Sequence, residues 1–161
     1  MDKLDKVETV TRMQKYIEKH LSEVITLKKL ADEVGYSPWH AERIFKELVG
    51  KTPFQYILAM RISQAALKLR DENVKVIDVA LDFVFDSHEG FTRAFSKQFG
   101  MTPKQYSKNK PPIKLFIGYP IRDNYLRKMR GELEMVAKKE LNTVFVQVID
   151  RPARKLIVKR G

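Results

Sequence analysis

The chain has 161 residues, of which 43% are hydrophobic and 32% charged, a composition typical of one globular domain with or without an extension. The 31 Lys and Arg residues exceed the 20 Asp and Glu residues, so the formal net charge of +11 favours a polyanionic partner, either nucleic acid or an anionic membrane surface. The absence of cysteine excludes disulfides, cysteine-ligated zinc and a cysteine nucleophile. We expect a cytoplasmic protein, because the sequence shows neither a signal peptide nor an apolar run long enough to span a membrane.

One unit of about 30 residues occurs twice in the sequence. At an offset of fifty residues, Arg43 matches Arg93 and Gly50 matches Gly100. Further pairs are Phe45 with Phe95, Thr52 with Thr102, Pro53 with Pro103, Gln55 with Gln105, Tyr56 with Tyr106 and, at an offset of forty-nine, Ala31 with Ala80 and Tyr36 with Phe85. The second unit is therefore a duplicate of the first, with one residue gained in its turn.

A leading helix is predicted over residues 8–20, followed by the first unit as helix, turn and helix. Thr26 is a good cap for the first of these helices, and Gly35 is suited to end it in the left-handed conformation. Residues 37–38, Ser followed by Pro, favour the start of the second helix, and Gly50 ends it. The buried stripe predicted for this second helix contains Ala41, Ile44, Phe45 and Leu48.

A long amphipathic helix over residues 53–70 is predicted to join the two units. In the second unit, the first helix is predicted over 76–83, and Asp86 or Ser87 caps the second. The buried stripe of that second helix contains Phe91, Ala94, Phe95 and Phe99. The pattern predicts an all-α fold up to Ser107, with about seven helices and two tandem helix-turn-helix units.

The second helix of a helix-turn-helix enters the major groove of DNA, so two tandem units predict a DNA-binding protein more strongly than a plain helical bundle. The polar positions outside the buried stripes are the candidate DNA-binding residues. They are Trp39, His40, Glu42, Arg43 and Lys46 in the first unit, and His88, Glu89, Thr92, Arg93 and Ser96 in the second. Arg is the only candidate residue kept at the same position in both units, at Arg43 and Arg93, and its two parallel donors match O6 and N7 of guanine.

Other interpretations of these residues stay open. Arg43 and Arg93 also fit a phosphate contact or a solvated charge. Trp39 fits either an exposed contact to a thymine methyl or sugar, or partial burial. Glu42 and Glu89 could accept a hydrogen bond from cytosine N4, but they fit equally well at the rim of an interface. The three histidines show no metal-ligand spacing, so neither a metal nor another cofactor is expected.

Two recognition helices on one chain predict a monomer that occupies two successive major grooves of double-stranded DNA. The alternative is an architectural protein that neutralises phosphates without sequence preference. An enzyme is not expected, since the sequence has no catalytic triad, Gly-rich phosphate loop or metal cluster. A ligand sensor is also not expected within this chain, because no segment supplies the material for a ligand pocket.

The sequences of segments 30–40 (LADEVGYSPWH), 43–46 (RIFK) and 91–106 (FTRAFSKQFGMTPKQY) resemble the AraC/XylS transcription regulators, in the branch of the MarA, SoxS and Rob type. The resemblance covers about residues 8–107 and implies a bacterial activator that binds as a monomer, bends its site and recruits RNA polymerase at the nucleoid. It also implies that the first recognition helix makes the main base contacts. The family positions for these contacts fall on Trp39, Glu42 and Arg43, and those of the second helix fall on His88, Glu89, Thr92 and Arg93.

The sequence departs from the family pattern at several positions. Val84 replaces the usual glycine before the second turn, and because a β-branched residue resists the left-handed conformation we expect this turn to be built differently. Glu42 and Glu89 stand where relatives often have glutamine, so the operator sequence of those relatives does not transfer. Ser107 replaces the arginine that in this family usually follows the tyrosine found here at Tyr106.

The residues after the second unit contain further predicted elements. Residues 111–120 are predicted as an extended connector, and 125–141 as a basic, weakly amphipathic helix. The β-branched, alternating segment 143–149 predicts a strand, and 155–158 predicts another.

Three segments are therefore expected: a DNA-binding domain at 1–107, a basic linker at 108–142, and strands at 143–161. The strands resemble the opening of the gyrase-inhibitor-like effector-binding domain of Rob-type regulators, which implies that this chain stops inside a domain. We expect them either to pack on the helical domain or to pair between two chains. Charge is uneven, since 1–107 has a net charge of +2 and 108–161 a net charge of +9.

Overall fold

The computed structural model describes residues 1–129 and the strand backbone of 143–148. The described elements are α1 (Lys3–Lys19), α2 (Leu27–Val34), α3 (Pro38–Val49), α4 (Pro53–Asp71), α5 (Val76–Asp82), α6 (His88–Phe99), α7 (Pro103–Asn109), β1 (Ile113–Gly118), α8 (Ile121–Met129) and β2 (Thr143–Val148). The helical fold with two tandem units, α2–α3 and α5–α6, joined by the long α4, is confirmed.

Helix α1 begins five residues before the predicted position, at Lys3 rather than Glu8. Asp2 caps this end, and its backbone N–H donates to Oδ2 of Asp5 at 3.3 Å in a capping box. A capping box satisfies backbone N–H groups that have no partner inside the helix. It therefore stabilises an additional turn at the start of α1, before the apolar stripe from which the helix was predicted.

The predicted helix boundaries of the first unit are confirmed by side-chain caps. Oγ1 of Thr26 accepts from the backbone N–H of Lys29 at 3.1 Å at the start of α2. Oγ of Ser37 accepts from the N–H of His40 at 3.3 Å at the start of α3. Gly35 ends α2 with φ 76°, in the left-handed region that favours glycine.

The turn of the second unit corrects the expectation for Val84, which adopts φ 62° instead of avoiding the left-handed region. The backbone N–H of Val84 donates to Leu81 at 3.0 Å, and that of Phe85 donates to Ala80 at 3.0 Å. These bonds reproduce the pattern that Gly35 and the next residue make at the end of α2. The end of the first helix is therefore built in the same way in both units, and the second unit accepts a backbone strain there that the first avoids.

Two apolar clusters form the core, one in each unit. The first contains Phe45 and Tyr56, and the second contains Phe91, Phe95 and Tyr106. Helix α4 contributes to both, because its first half supplies buried residues to the first cluster and its second half to the second cluster. This shared helix fixes the two units against one another.

Strand β1 passes between the two clusters and lies where an extended connector was predicted. Phe116 is buried in the first cluster, whereas Leu115 and Ile113 are buried in the second. Neighbouring residues of a strand point to opposite faces, which allows one strand to serve both. The backbone N–H of Phe116 also donates to the buried Oγ of Ser63 on α4 at 2.8 Å.

Gln14 on α1 holds the end of β1 and the start of α8. Its side-chain Nε2 donates to the carbonyl of Tyr119 at 2.8 Å and to the hydroxyl of Tyr56 at 3.3 Å. Its Oε1 accepts from the backbone N–H of Ile121 at 3.3 Å. A buried amide thus satisfies polar groups of α4, of α8 and of the segment between β1 and α8.

β2 pairs antiparallel with β1 in the same chain, with Leu115 opposite Val146, so the strand predicted at 143–149 is confirmed over 143–148. The basic helix predicted at 125–141 begins earlier, at Ile121, and the part of that prediction after residue 129 lies outside the described residues, as does the predicted strand at 155–158. The division into segments at 107 and 142 stays a prediction, although residues 113–126 pack on the helical body.

Candidate nucleic-acid interface

Helix α3 presents a polar face on the side opposite its buried stripe. Trp39 is 70% exposed, which favours the interpretation of an exposed contact over that of a buried one. Arg43 and Lys46 are exposed, whereas His40 and Glu42 are half-buried. The structure therefore brings all five predicted residues of the first unit onto one helix surface with access to solvent.

The guanidinium group of Arg43 is held by its neighbours on α3. It lies 5.2 Å from the centre of the Trp39 ring, in a cation–π arrangement. Its Nη2 is 3.4 Å from Nδ1 of His40, whose own ring lies 5.0 Å from that of Tyr36. A planar group with several donors is thus oriented on an exposed surface, the arrangement that a bidentate contact to guanine needs.

The acidic residue Glu47 also lies on α3, beyond the predicted set. Its carboxylate accepts from Nζ of Lys6 at 2.6 Å, which ties α1 to α3. This hydrogen bond, with smaller contributions from the charges of Lys6 and Arg43, lowers the pKa of the Glu47 carboxyl. The acid is therefore ionised and already paired.

Helix α6 presents the corresponding face of the second unit with different chemistry. His88, Glu89 and Arg93 are exposed, and Thr92 and Ser96 are half-buried. Glu89 occupies the position of Trp39, so no aromatic ring supports the second arginine there. Both units hold an exposed arginine at the same helical position, but among the described residues a ring lies against the arginine of the first unit only.

The comparison of the two units also shows basic residues that the sequence interpretation missed. Lys75, Lys104 and Lys108 line a cavity next to α6, together with His88 and Thr92. They lie outside α6, whereas the candidate DNA-binding residues were chosen only from the outward positions of the second helix of each unit. Position-by-position comparison of the two units beyond these helices would have found them.

Within residues 1–129, no group of three or more His, Cys, Asp or Glu residues is placed to hold a metal ion. The same part of the chain contains no helix that is both long and apolar enough to cross a membrane.

Comparison with known proteins places the helical region in one family. A family described as "Helix-turn-helix domain" matches residues 30–109. The right origin-binding protein of Escherichia coli is 39% identical over 108 residues, which cover 62% of this chain and 37% of that protein. The HTH-type transcriptional activator AarP of Providencia stuartii is 37% identical over 91 residues, which cover 56% of this chain and 67% of the activator.

A solved structure shows the same fold. The DNA-binding domain of AdpA, a global transcriptional factor solved in complex with a target DNA, superposes with a TM-score of 0.59 and 26% identity, and the match covers 62% of this chain and 89% of that domain. The chain spans little more than a third of the right origin-binding protein. Since the match to the activator extends over two thirds of that protein, the chain belongs to the AraC family of helix-turn-helix transcription regulators.

Proposed function

We propose that this chain is a sequence-specific DNA-binding regulator that binds double-stranded DNA as a monomer, with α3 and α6 in successive major grooves. The observation that carries the proposal is the duplicated exposed face, in which Arg43 and Arg93 occupy the same position of two second helices on one chain. Helices arranged in this way read base edges through their outward residues. One chain then supplies both of the recognition helices that a dimer would otherwise provide.

The two arginines read guanine, because each presents two parallel donors to O6 and N7. Trp39 contacts a thymine methyl or a sugar with its exposed ring and donates its N–H to a phosphate. The rest of the interface consists of His40, Glu42 and Lys46 on α3 and His88, Glu89, Thr92 and Ser96 on α6. Glu42 and Glu89 lower the affinity for sites that place phosphates beside them, and so contribute to discrimination.

Names of relatives support a role in transcription. The AdpA domain was solved with a target DNA, and the Providencia relative is named an activator. We extend both properties to this chain: it activates transcription through a contact with RNA polymerase, acts at the nucleoid in the cytoplasm, and catalyses no reaction.

Selection of bound duplexes from a random DNA pool tests the proposal. A defined sequence should emerge, and it should compete at least about 10³-fold better than unrelated DNA. Near-equal competition would instead support an architectural protein that binds phosphates alone, for which the +9 net charge of residues 108–161 is the favouring observation. Mobility-shift titration on the selected duplex should give one chain per site, and an obligatory two chains would contradict the monomer.

A further inference from the structure

Two elements connect the helix-turn-helix units. Among the residues whose side chains the structure describes, only α4 and β1 supply buried side chains to both apolar clusters. The first half of α4, up to Met60, packs in the first cluster, and the second half, from Ile62, packs in the second. Long helices are rarely straight, so α4 alone leaves the angle between the units open to bending.

Strand β1 meets α4 at the boundary between these two halves. The backbone N–H of Phe116 donates to Oγ of Ser63 at 2.8 Å, one residue after the second-cluster residues of α4 begin. Closer to the end of the strand, a Cβ on Gly118 would overlap the hydroxyl of Tyr56, so only glycine allows this close approach to α4. The second connection is therefore fixed to the middle of the first.

Phe116 is connected to the first recognition helix through a series of aromatic rings. Its ring lies 5.4 Å from that of Tyr56 on α4, at an interplanar angle of 87°. The Tyr56 ring lies 5.4 Å from that of Phe45 on α3, at 79°. All three rings are buried, and edge-to-face rings in a close-packed interior have few alternative arrangements. A displacement of Phe116 should therefore move α3.

Phe116 is connected to the second recognition helix through hydrogen bonds. The Oγ of Ser63 that accepts from Phe116 also accepts from Nε2 of Gln98 on α6, at 2.9 Å. Nε2 of Gln98 donates as well to the carbonyl of Ala59 on α4, at 3.4 Å. Separation of either donor from the buried hydroxyl would leave polar groups unpaired. The first unit has Leu48 at the position of Gln98, so this polar connection belongs to the second unit alone.

We infer that β1 sets the separation and the angle of the two recognition helices, with Phe116 and Ser63 as positioning residues, and thereby selects the spacing between two half-sites on DNA. The inference rests on the proposed function, because it takes α3 and α6 to enter two grooves of one duplex. Two binding units on a stiff connection engage together only at a matching spacing, whereas a flexible connection tolerates a range. Each base pair added between the half-sites also rotates one of them by roughly 35° about the duplex axis.

Distance measurements on the full chain test the positioning role without DNA. Because the sequence contains no cysteine, Lys46→Cys and Lys97→Cys place one spin label at an exposed position of each recognition helix. Pulsed electron spin resonance should give one narrow distance distribution for this labelled chain. Addition of Phe116→Ala should widen the distribution by about twofold or more, because the cavity left by the ring allows the two units to move independently.

The control Leu30→Ala removes a buried side chain of the first cluster from α2, a helix that packs on α1 and α3. Its loss of stability should be similar to that of Phe116→Ala, about 2–5 kcal/mol for either type of substitution. The distance distribution of the control should stay as narrow as that of the labelled chain without it. If Phe116→Ala does not fold, Phe116→Leu takes its place and should widen the distribution by a smaller amount.

Binding of unlabelled chains to duplexes of different spacing provides the second readout. The selected duplex is compared with duplexes that have two base pairs added or removed between the half-sites, and with a duplex that carries the first half-site alone. The wild-type chain should prefer the selected spacing by at least about tenfold. In Phe116→Ala this preference should fall below about threefold, while the Kd for the single half-site stays within about twofold of the wild-type value.

An unchanged distance distribution in the folded Phe116 variant, or equal widening in Leu30→Ala, would overturn the inference. A spacing preference that survives in the Phe116 variant, or an equal loss of affinity for every duplex, would overturn it as well. If the wild-type chain does not discriminate among DNA sequences at all, the proposed function fails. The distance distributions then still decide whether β1 positions the two helices.

Discussion

The side chain of Arg43 lies over the ring of Trp39 on the same exposed face of α3, with 5.2 Å between the guanidinium carbon and the ring centre. The two residues are one helical turn apart, which is the spacing at which side chains meet on a helix surface. Because the ring restricts the guanidinium group before DNA arrives, less conformational entropy is lost on binding. We therefore expect the first unit to contribute more base discrimination than the second.

The first prediction concerns the two matching arginines. Arg43→Lys should raise the Kd for the selected duplex by roughly 10- to 100-fold, since lysine loses both the bidentate contact and the planar group that stacks. Arg93→Lys should have a smaller effect, because no aromatic ring of residues 1–129 lies against Arg93. Arg12→Lys, an exposed arginine on α1, is the control and should leave the Kd unchanged. Equal losses in Arg43→Lys and Arg93→Lys would contradict a special role for the stacked pair.

The second prediction follows from the strain at Val84. Because φ is 62° at a β-branched residue, Val84→Gly should raise the free energy of unfolding by about 1 kcal/mol despite the greater flexibility of glycine in the unfolded chain. The reciprocal change Gly35→Val should lower it by about 1–2 kcal/mol. No other atom would lie within 4 Å of a Cβ at Gly35, so conformation alone determines that loss. Urea denaturation measures both, and a loss of stability in Val84→Gly would show that the left-handed turn is not strained.

This turn also shows where sequence reasoning reached its limit. The capping residues and the apolar stripes predicted α1–α6, because each of these signals depends on residues close in sequence. The conformation of Val84 was predicted wrongly, since the hydrogen bonds from 84 to 81 and from 85 to 80 outweigh the preference of one side chain. Packing of β1 between the clusters could not be predicted either, because it depends on contacts more than fifty residues apart, such as Phe116 with Ser63.

The third prediction addresses Ser63, whose Oγ accepts from the backbone N–H of Phe116 and from Nε2 of Gln98 at 2.9 Å. Ser63→Ala leaves a buried N–H without a partner, so the free energy of unfolding should fall by about 1–3 kcal/mol. Ser22→Ala, at an exposed position, is the matched control and should change stability by less than about 0.5 kcal/mol. If the two variants were equally stable, the contact between β1 and α4 would carry little energy.

The fourth prediction is a dependence of stability on alkaline pH. Burial raises the pKa of the Tyr56 hydroxyl to about 12, while the hydrogen bond from Gln14 partly opposes this rise. An unfolded tyrosine ionises near pH 10, so the contribution of Tyr56 is complete below that pH and is lost as pH rises towards 12. The loss should reach about 2–3 kcal/mol.

Urea titrations at several pH values between 7 and 11.5 measure this effect. Tyr56→Phe cannot ionise, so its stability should fall less steeply above pH 10 than that of the wild-type chain. Parallel curves for the two proteins would show that the hydroxyl is not protected by burial. Absorbance at 295 nm provides an independent check, because the ionisation step of Tyr56 should be missing from the titration curve of Tyr56→Phe.

Much of the recognition surface was accessible from the sequence, because helical periodicity assigns outward positions such as Trp39 and Arg43 without tertiary information. The stack between them, and the absence of a ring beneath Arg93, required side-chain geometry. The cavity beside α6 required the tertiary fold, since Lys75 and Lys104 come from different elements that only packing brings together.

The placement of β1 has a consequence for how the molecule unfolds. Since Leu115 and Phe116 anchor one strand in both clusters, opening of either helix-turn-helix unit exposes an apolar side chain of the strand that the two units share. The duplicated halves should therefore melt in a single cooperative transition, with calorimetric and van't Hoff enthalpies that agree. Amide hydrogens of α3 and α6 should exchange with solvent at similar rates, although they belong to separate copies of the ancestral repeat.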